Sequence, residues 1–209
     1  VSFLATFAQV GFFNTVIGIF LPALHDEFGW SRAEIAGAVA LGSIAGGLLS
    51  PLLGVVVDRY GARWVMAASA IAMAITCLLL AEQRDLLHFY LLFALGRALG
   101  IAAIQASTVV AISNWFIRRR TFAIALGTLG IRVGNSVLPL MVAFVISTRG
   151  WPDGFRSLAV VLLIFVVLPP LLFLRRRPED LGLRPDGDTP THDKFGDLSG
   201  ALDPAWTLS

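Results

Sequence analysis

Two arginines, Arg97 and Arg132, stand inside otherwise apolar stretches of this 209-residue chain. A guanidinium in hydrocarbon costs at least about 2.5–3.5 kcal/mol on insertion scales, so an arginine at that depth is a functional candidate by default. Its planar fork donates two parallel hydrogen bonds to a carboxylate. The 14 acids all fall outside the apolar runs, so the sequence offers no carboxylate at the depth of either arginine. A small organic anion is the ligand that this arrangement suits. Helical spacing puts Thr108 on the face of Arg97 with Gln105 on its flank, and sets Thr128, Asn135 and Ser136 around Arg132. Gln9 and Asn14 add polar groups to the first apolar run. The candidate anion contacts are therefore Arg132, Arg97, Asn14, Gln105 and Asn135. Arg97 keeps a second reading, in which it bonds backbone carbonyls and fixes its helix.

Other chemistry fits poorly. Gly134-Asn135-Ser136 imitates the nucleophile motif of an intramembrane serine protease, which needs a histidine base at the same depth. His25 and His88 fall at the ends of apolar runs and His192 in a polar tail, so an enzyme is the remote alternative. The sequence has no metal-ligand cluster, phosphate-cradling loop or nucleic-acid patch, and no cofactor is expected. The single cysteine, Cys77, excludes an internal disulfide and reads as apolar filler.

The elements that must carry these residues follow from composition. Hydrophobic residues make up 56% of the chain and charged ones 14%, with mean hydropathy +0.79. A soluble domain needs more charge to cover its surface, so the class is a polytopic membrane protein. A bilayer core of about 30 Å needs roughly 20 apolar residues in a helix. Six runs qualify: Phe3–Leu24, Ile35–Val57, Trp64–Ala81, Phe89–Ser113, Phe122–Ser147 and Ser157–Leu174, the last ending in Pro169-Pro170. They do not alternate apolar with polar as barrel strands must, so the expected fold is all-α. At about 1.5 Å per residue, Arg97 and Arg132 lie near the midplane of the fourth and fifth runs.

Ten basic residues, among them Arg59, Arg63, Arg118, Arg119, Arg120 and Arg175–Arg177, occupy one set of loops. Arg32, Arg84, Arg149 and Arg156 occupy the other. The positive-inside rule makes the first set cytoplasmic, with both ends of the segment inside. Residues 1–174 read as a six-helix membrane unit. Residues 175–209, rich in Pro, Gly and Asp, read as a cytoplasmic linker or tail. A start at Val1 without a basic n-region suits a chain that opens inside its first span rather than a cleaved signal.

"ALGSIAGGLLSPLLGVVVDRYGARW" from Ala40 and "ALGTLGIRVGNSVLPLMVAFVISTRGW" from Ala125 share a loose phrase. The second run crosses toward the cytoplasm and the fifth away from it. Six helices arranged as an inverted three-plus-three repeat, as in secondary transporters, are therefore expected. Small residues in the fifth run, Gly127, Gly130 and Gly134 with Pro139 beyond, suit close helix packing.

Between the second and third runs stands "GVVVDRYGARW", with Gly54, Asp58, Arg59, Gly61 and Arg63 in the pattern G-x-x-x-D-R-x-G-x-R. Gly61 suits a tight turn and Gly54 a close helix approach. Asp58 suits a helix N-terminus or an arginine at the membrane edge. Placed on a short loop, this pattern resembles the loop signature of the major facilitator superfamily, in which Ala62 would be basic. Residues Gly11–Leu41, Asn114–Leu140 and Arg176–Asp188 look like the corresponding regions of oxalate:formate-antiporter-like and monocarboxylate-transporter-like members. Arg97 with Gly100 resembles a common fourth-span feature of the family. The fifth-span glycines resemble its antiporter motif but lack the Gly-Pro pair, so symport and antiport stay open.

The resemblance implies the N-terminal half of a twelve-span secondary transporter, in which the loop signature acts as a conformational latch. Its partners would be a small organic anion, the lipid bilayer and a second six-span half or a second copy. A bacterial inner membrane is the expected location. A half-transporter inactive without its complement is the alternative.

Overall fold

A computed structural model describes residues 1–12, 14–115 and 120–173. All its elements are helical, and six stretches are long and apolar enough to cross a membrane. These spans are the first, Ser2–Phe28; the second, Arg32–Tyr60; the third, Ala62–Leu80; the fourth, Leu86–Ser113; the fifth, Thr121–Arg149; and the sixth, Trp151–Leu172. The links at residues 29–31, Gly61, residues 81–85 and Gly150 are short, and each turn there needs a specific device. Gly29, Gly61 and Gly150 take φ of 69°, 86° and 91°, a region that a side chain would strain. Ser31 and Glu34 close a capping box at the start of the second span, and Asp85 caps the fourth through the amide of His88.

Three spans are not uniform α-helices, which the apolar runs do not reveal. The first passes through a 3₁₀ segment at Gln9–Phe12, the fourth through a π segment at Gly100–Ile104, and the sixth through a π segment at Leu163–Val167. The sixth also starts earlier than its apolar run, at Trp151, taking Asp153 and Arg156 into its opening turns. It does not stop at Pro169-Pro170 but continues as helix to Phe173. Prolines lack the N–H that an α-helix needs. The preceding π segment has already shifted the pattern, with the amide of Leu168 donating to the carbonyl of Leu163.

The core lies among the first, third, fourth and sixth spans, where Phe12, Phe20, Phe89, Phe93 and Phe155 are nearly fully buried. Phe20 stacks on Phe155 with ring centroids 4.0 Å apart. Cys77 is buried in this core. The second and fifth spans are the least buried and hold out Leu48, Leu52 and Val55, and Leu140 and Phe144.

An inverted repeat is visible in how those two outer spans are gripped. Gly42 and Gly46 bring the second span onto the fourth; an added Cβ would stand 2.9 Å from Arg97 Cβ, 3.0 Å from Ala94 Cα and 3.0 Å from Ile101 Cβ. Gly130 and Gly134 bring the fifth span onto the first, against Phe3, Thr6, Phe7 and Val10. Moving 88 residues along the outer span and 91 along the inner one carries the first set of contacts onto the second. The same shift carries the 3₁₀ segment at Gln9 onto the π segment at Gly100. The shared phrase, which pairs Gly42 with Gly127, is thus three residues out of register with the packing.

Candidate functional site

The break in the first span is where Arg97 reaches. Its Nε–H donates to Ser43 Oγ at 2.8 Å and its Nη1–H to the carbonyl of Phe12, the last residue of the 3₁₀ segment, at 2.6 Å. Ser43 Oγ–H in turn donates to the carbonyl of Val39 at 2.8 Å. The repeat has a counterpart, since Thr6 Oγ1 donates to the carbonyl of Gly127 at 2.6 Å. Thr6 corresponds to Arg97 and Gly127 to Val39 under the same shift. Arg97 is therefore engaged in binding the first, second and fourth spans together, the backbone-fixing role open to it from sequence. Neither Ser43 nor the Phe12 carbonyl was visible as its partner. Ser43 lies in another span, and the carbonyl's orientation depends on the break.

Arg132 is placed oppositely. It is exposed on the fifth span, and among the described residues no hydrogen bond or ion pair engages its guanidinium. The hydroxyls beside it on the fifth span are exposed and bond their own helix. Thr128 donates to the carbonyl of Ala125 at 3.0 Å and Ser136 to that of Arg132 at 3.2 Å. Asn135 is half-buried, with Oδ1 out of solvent and without a hydrogen-bond partner among the described residues. Gln105 is exposed and Thr108 buried. The side chain of Asn14 lies outside the described residues. Ser136 is bonded within its own helix, and the two described histidines are engaged elsewhere: His25 contacts the carbonyl of Trp30 and His88 lies beside Asp85.

In the loop signature, Gly61 makes the turn as expected. Among the described residues nothing approaches Gly54 closely: a Cβ there would meet nothing within 4 Å. The close contacts of the second span are made instead through Gly42 and Gly46. Asp58 and Arg59 are exposed, and Arg59 stands 5.6 Å from the ring centroid of Tyr60. Arg63 does something sequence did not suggest: its Nη2 donates to the carbonyl of Leu171 at 2.6 Å, tying the start of the third span to the end of the sixth. Gly127, Gly130 and Gly134 all pack closely, and a Cβ added at Gly134 would stand 2.6 Å from the Phe7 carbonyl oxygen, while Pro139 is half-buried within its helix. The arginines at 118, 119 and 175–177 lie outside the described residues, as does the whole 175–209 segment.

The family model described as Major Facilitator Superfamily matches residues 2–206. The chain is similar to monocarboxylate transporter 6 of Mus musculus, 29% identical over 177 residues that cover 82% of this chain and 36% of the transporter. It is also similar to riboflavin transporter RibJ of Trypanosoma brucei brucei, 28% identical over 189 residues, 87% of this chain and 34% of the relative. The fold resembles the inward-open xylose transporter XylE of E. coli with TM-score 0.65 and 16% identity, over 87% of this chain and 47% of that one. This chain thus spans about a third of the length of these relatives and about half of the solved structure.

Proposed function

The chain belongs to the major facilitator superfamily, and on that premise we propose that it forms the N-terminal six-span half of a secondary transporter moving a small organic anion by alternating access. Arg132 carries the reading: an exposed guanidinium with no hydrogen-bond or ion-pair partner among the described residues, in the middle of a membrane-length helix. A cation there is retained at a cost of about 2.5–3.5 kcal/mol unless a ligand or a water-filled cavity receives it. A bidentate carboxylate is the best-matched small ligand. The name of monocarboxylate transporter 6 supports that class, and that of the riboflavin transporter marks the breadth of chemistry among relatives.

Alternating access rocks one half against another around a site between them. The open apolar faces of the second and fifth spans, together with the chain's share of its relatives' length, support a complementary half as the missing wall. Those faces equally suit a second copy of this chain. Residues 175–209 would link the halves. The basic loops would face the cytoplasm, which in a bacterium places the protein in the inner membrane.

The test is uptake of radiolabelled lactate and formate into proteoliposomes holding the chain alone, or the chain with a complementary six-span half from a relative. Uptake only with both halves, lost in Arg132→Ala, is expected. Uptake by the chain alone would favour the dimer. Uptake indifferent to Arg132 would end the anion-site reading.

A further inference from the structure

Gln83, in the link between the third and fourth spans, is 5% exposed, and both Nε2 and Oε1 of its side chain are buried with no hydrogen-bond partner among the described residues. A buried amide that makes no hydrogen bond destabilises the fold, so its retention calls for a partner from outside the chain. Gln83 lines a cavity of about 510 Å³ together with Glu27, Phe28, Glu82, Arg84 and Trp151. That size falls in the range of small-molecule sites. The cavity lies where the first span ends, the third meets the fourth and the sixth begins, at the opposite end of the bundle from the Gly61 turn. It is bounded by spans other than the open second and fifth, so a complementary half seated on those leaves it accessible.

We propose that this cavity binds a small organic cation through its ammonium group. Two carboxylates against one guanidinium leave its wall net negative. Glu27 is held in place by Trp151, whose Nε1–H donates to Glu27 Oε2. Glu82 and Arg84 are exposed, with heads free to turn to water. Phe28 and Trp151, in edge-to-face contact at 5.7 Å, form the aromatic part of the wall. Ammonium ions are held by such mixtures of carboxylate and aromatic surface. Gln83 Oε1 accepts from the ammonium, and its Nε2 donates to an oxygen close by on the same ligand. A bare metal ion fits less well, since the described residues hold no group of three or more His, Cys, Asp or Glu side chains disposed for one. The ammonium has two sources, a free amine in solution or an ethanolamine headgroup of the surrounding lipid.

The experiment is calorimetric titration of the chain in phosphatidylglycerol nanodiscs with ethanolamine hydrochloride. A second arm compares thermal midpoints in nanodiscs with and without phosphatidylethanolamine. Saturable binding in the first arm, or a raised midpoint in the second, is expected. Glu27→Gln keeps an acceptor for Trp151 but removes the charge, and Gln83→Leu keeps the volume but removes the amide. Each weakens the effect at least tenfold, and Gln83→Leu leaves the ligand-free midpoint unchanged or higher. No response in either arm, binding of calcium or acetate in preference to ethanolamine, or full binding by Glu27→Gln would overturn the proposal. Its outcome is independent of Arg132, because a chain that fails to take up anions still contains this cavity.

Discussion

Taking away the guanidinium of Arg97 strips the donor from the Phe12 carbonyl and from Ser43, whereas taking away that of Arg132 breaks no hydrogen bond among the described residues. Interhelical hydrogen bonds in membrane proteins contribute about 0.6–1.7 kcal/mol each. Arg97→Leu should therefore lower stability by about 1–3 kcal/mol, with Arg97→Lys in between because one ammonium replaces a two-pronged fork. Arg132→Leu should leave stability within about 0.5 kcal/mol and still abolish anion uptake. Thermal melting and uptake measured on the same preparations check the contrast; a destabilised Arg132→Leu would place that residue in the scaffold instead. Outside the membrane, Asp85 offers a titration. The backbone amide of His88 donates to its carboxylate and, with lesser help from the His88 side chain, holds its pKa below the ordinary value. A depressed folded pKa adds stability above the unfolded value, about 3.9, that is lost as pH falls through the folded one. Asp85→Asn keeps an N-cap acceptor without the charge. Melting between pH 6 and pH 3 should then fall less steeply in Asp85→Asn than in the parent, and parallel curves would assign the slope to other carboxylates.

Helix contacts made through glycine turn single methyl groups into a test of the repeat. Gly134→Ala sets a Cβ 2.6 Å from the Phe7 carbonyl oxygen, and Gly46→Ala sets one 3.0 Å from Ile101 Cβ and 3.2 Å from Ala98 Cα. Backbone atoms yield less readily than side-chain ends, so about 1–3 kcal/mol is expected at Gly134 and less at Gly46. Gly47→Ala meets nothing within 4 Å and should be neutral or stabilising by up to about 1 kcal/mol, since alanine favours helix. A melting series over the three variants checks the order, and equal effects at Gly47 and Gly134 would deny the repeat its packing basis. That the chain forms six spans is plain in its sequence, because span length and apolarity are properties of contiguous residues. The breaks are another matter. Gln9–Phe12 has no proline and reads as ordinary apolar helix, and its 3₁₀ geometry is set with the fourth span's arginine waiting for a carbonyl. The approximate repeat is likewise readable as a phrase, yet its register is decided by which glycines touch, and Gly54 shows that a glycine alone does not say which face is crowded. Of the candidate site, Arg97 and Arg132 stand out by composition alone, but their division into scaffold and exposed guanidinium depends on contacts between distant spans.

At the scale of the whole molecule, the two ends of the bundle are built from different chemistry. One end has the Gly61 turn, where Arg63 ties the third span to the sixth through the Leu171 carbonyl. The other has the Gly29 and Gly150 turns, the Asp85 cap and the cavity beside Gln83. Basic residues concentrate near the first end, so the positive-inside rule would turn it to the cytoplasm. Arg63 would then brace the cytoplasmic ends of the third and sixth spans within one half. Cysteine labelling decides the orientation cleanly, because the native Cys77 is buried and silent toward a polar reagent. His88 and Tyr60 are both exposed and stand at opposite ends. In intact cells a membrane-impermeant maleimide should modify His88→Cys, and should reach Tyr60→Cys only after permeabilisation. The reverse pattern would turn the bundle over and place the cavity lined by Glu27 and Gln83 on the cytoplasmic side. Its ammonium ligand would then have to come from the cell interior or the inner leaflet rather than from outside.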